Sequence, residues 1–317
     1  KKIMKKNSKI MEIGCNDGIF LQNFKNFDHL GIEPSKNVYN VSRSKKLKVL
    51  NSFFTEELIN QKKLHNKFDI IFAANVICHI PNMLSLFKCV EKSLKKDGFF
   101  IFEEPYLGAM LEKTSYDQIY DEHFYMFSAN SIASILDKFN LELVSAERIP
   151  THGGSMRYYV KKTNSTKKSE KLKKILKYEK KLKISEIKTI KKFLVNCINS
   201  KKRILKIMNE IIPKDEDIYG YGATSKSTTI LHFCDVKDNF IQGIFDNTPT
   251  KINKYFPAKK IKIIDYKEFK NIRPKYCFLF AWNHYKEIFK KEKKNKIKWF
   301  CHIDKKHFPK NLRKNFI

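Results

Sequence analysis

SKIMEIGCNDG, residues 8–18, is the stretch from which the fold can be read. Ser8 to Ile13 is a short apolar run that breaks into Gly14-Cys15-Asn16-Asp17-Gly18. Ile19, Phe20, Phe24 and Phe27 then recur at helical spacing. Strand, glycine turn and helix make the first unit of a nucleotide-binding α/β sheet. Gly14 lets the backbone turn tightly and approach a ligand with no side chain between them. Alone, G-x-x-x-G fits a plain turn equally well. The next apolar run, Leu30-Gly31-Ile32, ends in Glu33, 19 positions after Gly14. An acid about 20 residues past the glycine turn, at a strand's carboxyl end, suits the two hydroxyls of a ribose.

The pattern repeats down the chain. Lys48-Val49-Leu50 predicts a third strand running into Asn51-Ser52-Phe53-Phe54, polar and aromatic groups suited to a purine. Phe68 to Ala74 is almost wholly apolar, as a strand covered on both faces should be, and ends at Asn75. A helix is predicted over Met83–Lys96, then a fifth strand over Phe99–Phe102 ending in Glu103 and Glu104. Another helix is expected from Ala129 to Phe139. Leu141–Ile149 and Met156–Val160 alternate as strands around Pro150-Thr151-His152-Gly153-Gly154, a hairpin in place of a helical crossover. The first half is therefore a doubly wound, largely parallel sheet closed by an antiparallel hairpin. Ligands of such sheets sit beyond the strands' carboxyl ends. Gly14, Glu33, Asn75 and Glu103 all fall there.

From Lys161 to Asn209 the sequence is Lys-rich with apolar residues at helical spacing: Leu172, Ile175, Leu176, Leu182, Ile184, Ile187, Ile190, Phe193 and Leu194. One long helix or two shorter ones are expected to bridge two domains. Ile218 to Ala223 opens a second strand-to-glycine turn, followed by a helix over Ser225–Phe233 whose free backbone N–H groups, with Lys226 beside them, would suit an anion. Tyr221, Gly222 and Lys226 are the candidate contacts, with Asn283 at the end of a further strand, KYCFLFA. The expected boundaries are residues 1–162, a helical linker 163–212, and a second, smaller Rossmann-like α/β domain 213–317.

Lys and Arg number 64 against 33 Asp and Glu, a net charge of +31. Such a balance admits a nucleic-acid partner. The excess is Lys spread almost everywhere, with few aromatics interleaved where it is densest, and it reads as solvated surface. Seven scattered cysteines with no CxxC pair give no disulfide framework and no zinc site, so no metal is expected. A reducing, cytoplasmic setting fits them. No apolar run approaches a membrane span and no signal peptide is visible. The chain lacks an initiator Met and enters its first strand almost at once, as a fragment would.

Tyr120-Asp121-Glu122-His123 places a phenol, two carboxylates and an imidazole in four residues, soon after Glu103 and Glu104. Histidine, with an ordinary pKa of about 6.5, suits proton transfer near neutrality. His123 is the candidate base. Glu122 or Glu104 would hold its imidazolium or fix its tautomer. Tyr120 or His79 would donate to a developing oxyanion. His152 and Arg157, near the hairpin, would reach substrate.

The stretches MEIGCNDG, GIEPS, NVICHIPN, IYDEHFYMFS and HGGSMRYYV, with YGYGATSKSTTIL, IFDNTPTKINKYFP and FAWNHYKEI further on, resemble the S-adenosylmethionine-dependent sugar-nucleotide C-methyltransferases that branch deoxysugars. The likeness runs in order over nearly the whole chain. It implies a class I methyltransferase domain plus a second α/β domain. S-adenosylmethionine would be held by Gly14, Asn16, Asp17, Gly18, Glu33, Ser52 and Asn75. A nucleotide-linked keto-deoxysugar would be the acceptor, with Glu104, His152, Arg157, Tyr221, Gly222, Lys226 and Asn283 as its contacts. The resemblance makes His123 the base, with Tyr120, Glu122 and His79 lining the sugar pocket. Members usually start with a cysteine-rich zinc module, which does not precede the first strand here. Ser227 and Ala258 stand where glycine is usual. Two alternatives stay open: methyl transfer to oxygen or nitrogen, and a basic nucleic-acid-binding protein on a Rossmann fold.

Overall fold

The computed structural model describes residues 4–162 and 168–317. The chain divides into two compact units, one of Lys1–Gly108 with Glu122–Ile184 and the other of Ala109–Asp121 with Ser185–Ile317.

The first unit is built on seven strands: β1 (Lys9–Ile13), β2 (Asp28–Ile32), β3 (Val49–Leu50), β4 (Phe68–Ala74), β5 (Leu94–Pro105), β6 (Glu142–Ile149) and β7 (Ser155–Lys161). Their order is β3-β2-β1-β4-β5-β7-β6. The first five pair in parallel, and β7 runs antiparallel to both β5 and β6. The apolar β4 lies between β1 and β5, where both faces are covered, which accounts for its lack of alternation. The helices of this part of the chain are α1 (Lys36–Ser44), α2 (Glu56–Gln61), α3 (Met83–Ser93), α4 (Leu107–Lys113), α5 (Ala129–Leu136) and α6 (Glu170–Leu182). Phe100, Phe102 and Tyr158, all fully buried, stack in series across the strands. Burying a ring of this kind contributes about 1.5–3 kcal/mol.

The helix expected after β1 is reduced to one 3-10 turn, Leu21–Phe24. Gln22 and Asn23 explain this: their side-chain amides donate to the carbonyls of Ile19 and Phe20 and compete with a regular α-helical ladder. The Lys-rich stretch forms two helices, not one. The second, α7 (Ile187–Lys206), begins after a break at Lys183, whose φ is 55°. Leu172, Ile184 and Phe193 are buried as expected, but Ile187, Ile190 and Leu194 are exposed. In α6 a buried acid takes the place of one apolar anchor: Glu179 accepts the backbone N–H groups of Ala129 and Asn130 at the start of α5. A carboxylate there satisfies orphan donors and meets the positive end of the helix dipole.

The second unit is a parallel sheet of β8 (Ile218–Tyr221), β9 (Gly243–Asp246), β10 (Ile263–Asp265), β11 (Tyr276–Leu279) and β12 (Lys298–Phe300), in the order β10-β9-β8-β11-β12. It carries α8 (Ser225–Phe233), α9 (Phe269–Ile272) and α10 (Tyr285–Lys291). The domain boundaries therefore differ from those expected. Residues 109–121 pack with the second unit although they follow β5 in sequence, and the supposed linker is shared, α6 with the first unit and α7 with the second. The expected break at 162/163 touches residues outside those described. Tyr116 and Asp117 show why the inserted segment belongs where it does. Asp117 is fully buried, 3.0 Å from His302 Nε2, and accepts Trp282 Nε1–H at 2.8 Å. Tyr116 Oη lies 3.3 Å from Cys234 Sγ. Among the described residues no helix is long and apolar enough to cross a membrane.

Candidate active site

Glu33 is the centre of the glycine turn. It is buried, and each carboxylate oxygen accepts one backbone N–H: Oε2 from Asn16 and Oε1 from Ser35, both at 2.8 Å. The Asn51 amide donates to the carbonyls of Glu33 and Pro34 and holds this corner from the other side. A carboxylate oxygen has a second lone pair, so the group remains able to accept from a vicinal diol. Asn16 and Asn75 both adopt left-handed backbone, at φ 50° and 54°, a conformation Asn tolerates better than most residues. Asn75 donates its N–H to the Glu103 carbonyl, and its Oδ1 is buried without a hydrogen-bond partner among the described residues.

These features fit a nucleoside donor carrying an amino acid: two acceptors for ribose hydroxyls and an acceptor able to take an N–H. Ser52, beyond β3, donates to the carbonyl of Phe53, whose ring is 70% exposed beside it, as a surface for a purine requires. Gly14 is demanded by its φ of +65° and by Val76, which a Cβ would meet at 2.5 Å. Gly18 likewise has φ +78°. Asp17 is engaged by Lys45 at 2.8 Å and by the backbone of Ile19, so its side chain shapes the turn. Glu12, one position before Ile13 in β1, was not foreseen. Burial, set against a hydrogen bond from the Leu21 backbone and reinforced by Asp17 and Glu33, pushes its carboxyl up to about 8.

The candidate acid–base residues of the first unit lie on two loops tied together. His79 Nδ1 lies 2.8 Å from the carbonyl of Glu122, Phe124 donates its N–H to the Cys78 carbonyl, and Tyr125 donates its hydroxyl to that of Pro81. The rings of His79 and His123 are thereby 5.1 Å apart. A carbonyl only accepts, so His79 carries its proton on Nδ1 and, when neutral, presents a bare Nε2. It can donate to an oxyanion only as an imidazolium, which narrows the role expected of it. Glu122 contributes its backbone carbonyl here, and its side chain is exposed. Tyr120 is half-buried and falls within the second unit.

Glu103 and Glu104 point to opposite faces of β5, as successive strand residues must. Glu104 is fully buried, and Oε1 accepts the backbone N–H groups of Val76 and Ile77 at 3.0 and 2.6 Å. Burial raises its pKa against those hydrogen bonds. Through Oε1 it shapes the loop after β4, while Oε2 is buried without a hydrogen-bond partner among the described residues. Burial, helped by that carboxyl, also pushes the Cys78 thiol up. Glu103 pairs with Arg157 at 2.5 Å. Arg157 therefore lies over the sheet face, in a cavity of about 290 Å³ shared with Phe20, Phe72 and Tyr159, not among the rim loops where a substrate role was expected. His152 is exposed on the hairpin turn.

In the second unit two of the candidate contacts have packing roles of their own. Tyr221 is a core residue whose hydroxyl donates to Glu292, and Gly222 is required because a Cβ there would meet that of Ala281 at 2.5 Å. The start of α8 is also less free than expected. Thr224 and Ser227 form a capping box, and the Ala223 N–H goes to Asp246. Ser227, where the resemblance leads one to expect glycine, supplies half of that cap. Lys226 keeps a ligand-like character: Nζ is buried with no hydrogen-bond partner among the described residues, and burial, opposed by Asp117, lowers its pKa. Asn283 is half-buried in the turn after β11.

Sequence comparison matches residues 2–146 to a family described as a methyltransferase domain and residues 150–303 to one described as the C-methyltransferase C-terminal domain. The chain is 25% identical over 288 residues to the C-methyltransferase NovU of Streptomyces niveus, covering 90% of this chain and 69% of that protein. Among solved structures, a SAM-dependent methyltransferase from Archaeoglobus fulgidus is 18% identical with a TM-score of 0.41, covering 47% of this chain and 67% of its own. A SAM-dependent methyltransferase from Thermotoga maritima, described as a possible histamine N-methyltransferase, is 19% identical with a TM-score of 0.41, covering 51% and 84%. The chain is thus an S-adenosylmethionine-dependent methyltransferase, similar over most of its length to the C-methyltransferases.

Proposed function

We propose that this methyltransferase acts on a carbon beside the carbonyl of a nucleotide-linked keto-deoxysugar, with His123 as the base that generates the enolate. When bound, S-adenosylmethionine supplies an electrophilic methyl group on a positively charged sulfur. Glu33 would hold its ribose and Asn75 its polar end. The observation that carries the acid–base part is the His79–His123 pair, fixed on loops beyond the carboxyl end of β4, the strand whose last turn presents Asn75.

In this reading His123 takes the proton from the acceptor carbon. The Glu122 carbonyl keeps the His79 tautomer fixed, which leaves its Nε2 as an acceptor. Tyr120 donates a hydrogen bond to the enolate oxygen, which strengthens as negative charge develops there. In the second unit Lys226, whose Nζ is buried without a hydrogen-bond partner among the described residues, would suit a phosphate. No role for nucleic acid enters, and the setting proposed is cytoplasmic.

The test uses acceptor in deuterated solvent without donor. Wild type should exchange the proton on the reacting carbon, read by NMR. His123→Asn should abolish both exchange and methyl transfer while leaving donor affinity within about threefold. Methyl transfer without exchange would point to an oxygen or nitrogen acceptor, and full activity in His123→Asn would remove the base assignment.

A further inference from the structure

Cys78, His79 and His123 offer one sulfur and two nitrogens within 4.8 Å of one another. Among the described residues they form the sole cluster of at least three His, Cys, Asp or Glu donors so placed. We infer that these three side chains form a binding site for a soft divalent cation such as Zn²⁺.

The donor set is the first argument. One thiolate and two imidazoles are ligands that Zn²⁺ and Co²⁺ favour, and three protein ligands with a fourth position left to water is the pattern of an open tetrahedral site. The second argument is orientation. Metal-bound histidines characteristically donate their other ring N–H to a carbonyl or carboxylate, which fixes the ring and leaves the second nitrogen for the metal. His79 already has that arrangement, with Nδ1 on the Glu122 carbonyl at 2.8 Å. The third is the anchoring of the loops. Phe124 N–H to the Cys78 carbonyl and Tyr125 hydroxyl to the Pro81 carbonyl hold the strip bearing His123 against the strip bearing the other two ligands. Tetrahedral Zn²⁺ with bonds of about 2.0–2.3 Å brings its ligand atoms to roughly 3.5 Å from one another. The separation of up to 4.8 Å therefore closes by about 1 Å on binding, within the reach of χ rotations. Binding forms one metal–sulfur and two metal–nitrogen bonds, and the Cys78 thiol proton passes to solvent.

Occupancy would also remove His123 from proton transfer, a consequence that rests on the base assignment above; the binding site itself does not. The experiment therefore reads binding directly. Purified chain free of any polyhistidine tag is titrated with Co²⁺ and then Zn²⁺. Wild type should take up one Co²⁺ per chain with a near-ultraviolet cobalt–thiolate charge-transfer band and release it to Zn²⁺. Cys78→Ala should lose the band, while circular dichroism and donor binding report its folding. His123→Gln, at a half-exposed position, tests the site in a second variant and should weaken Co²⁺ at least tenfold while keeping a residual thiolate band. Absence of the band in wild type, or an unchanged band in folded Cys78→Ala, would overturn the assignment. An unchanged Co²⁺ affinity in His123→Gln would overturn it as well. Loss of methyl transfer in His123→Gln with normal metal uptake in wild type would support both readings, whereas metal uptake by a wild type whose metal-free form shows no carbon exchange would refute the base alone.

Discussion

Replacing Glu33 by Gln should weaken the methyl donor without unfolding the first unit. Oε1 and Oε2 each receive one backbone N–H at 2.8 Å, from Ser35 and Asn16. The substitution turns one acceptor into an NH₂ group. Whichever way the amide settles, one of those N–H groups then faces a donor, which costs about 1–3 kcal/mol locally. For the bound ribose, one charge-assisted acceptor is lost, worth about 1.5–3 kcal/mol. That corresponds to a rise in Kd of roughly 10- to 150-fold. Isothermal titration calorimetry with S-adenosylmethionine and with its demethylated product separates the terms. Both share the ribose, so both should weaken by a similar factor, while a loss confined to the cationic donor would indicate long-range attraction to the sulfur. Far-ultraviolet circular dichroism should be unchanged. A Kd within threefold of wild type for both ligands would refute the assignment of Glu33 to the ribose.

The buried His302–Asp117 pair sets a pH response in the second unit. Burial pulls the His302 pKa down, but the adjacent Asp117 outweighs it, with help from Cys301, and holds it at about 9. Its ordinary value is near 6.5, so the stabilisation, about 3 kcal/mol, is complete below that pH and is lost as pH rises through about 9. For Asp117, burial raises the pKa but His302 lowers it further, with Lys226 and Trp282 assisting, so its contribution is present above the ordinary carboxylate range and lost on acidification. Chemical unfolding of the second unit, followed by Trp282 and Trp299 fluorescence, should therefore show stability falling between about pH 7 and 9. Asp117→Asn should cost about 3–5 kcal/mol at pH 6, since it leaves a buried imidazolium unpaired; a cost below 1 kcal/mol would mean His302 is neutral. Glu12→Gln should stabilise the chain by about 3 kcal/mol at pH 7 and by little at pH 4, because a carboxyl raised to about 8 makes the folded state progressively less favourable above its ordinary pKa of 4.5. Lys226→Met should weaken a sugar nucleotide about tenfold or more while donor affinity stays unchanged, and equal binding by calorimetry would exclude its phosphate role.

Much of this was present in the order of residues. The glycine turn after β1, the acid at the end of β2, the apolar β4 and the hairpin of β6 and β7 are local signals, because backbone freedom and the period of burial are written in neighbouring residues. The proposed donor contacts Glu33 and Asn75 were legible for that reason. His123 was legible as a titratable group suited to proton transfer, and the resemblance assigned it the same role. What neighbours in sequence could not show was allegiance. Tyr221 and Gly222 sit in a turn that looks like a phosphate cradle, yet one packs into the core and the other makes room for Ala281. Segment 109–121 reads as a loop of the first domain, but a buried Asp117 finds its counter-charge in His302 of the second unit. Glu103 and Glu104 are adjacent, and only the sheet, by sending alternate side chains to opposite faces, gives one Arg157 and the other the N–H groups of Val76 and Ile77. The same holds for Cys78, His79 and His123. The type of each element is decided within a dozen residues, whereas a cluster of ligands is decided by which loops the sheet order brings together, and hydrogen bonds between residues 43 positions apart, such as His79 and Glu122, exist only once that order is made.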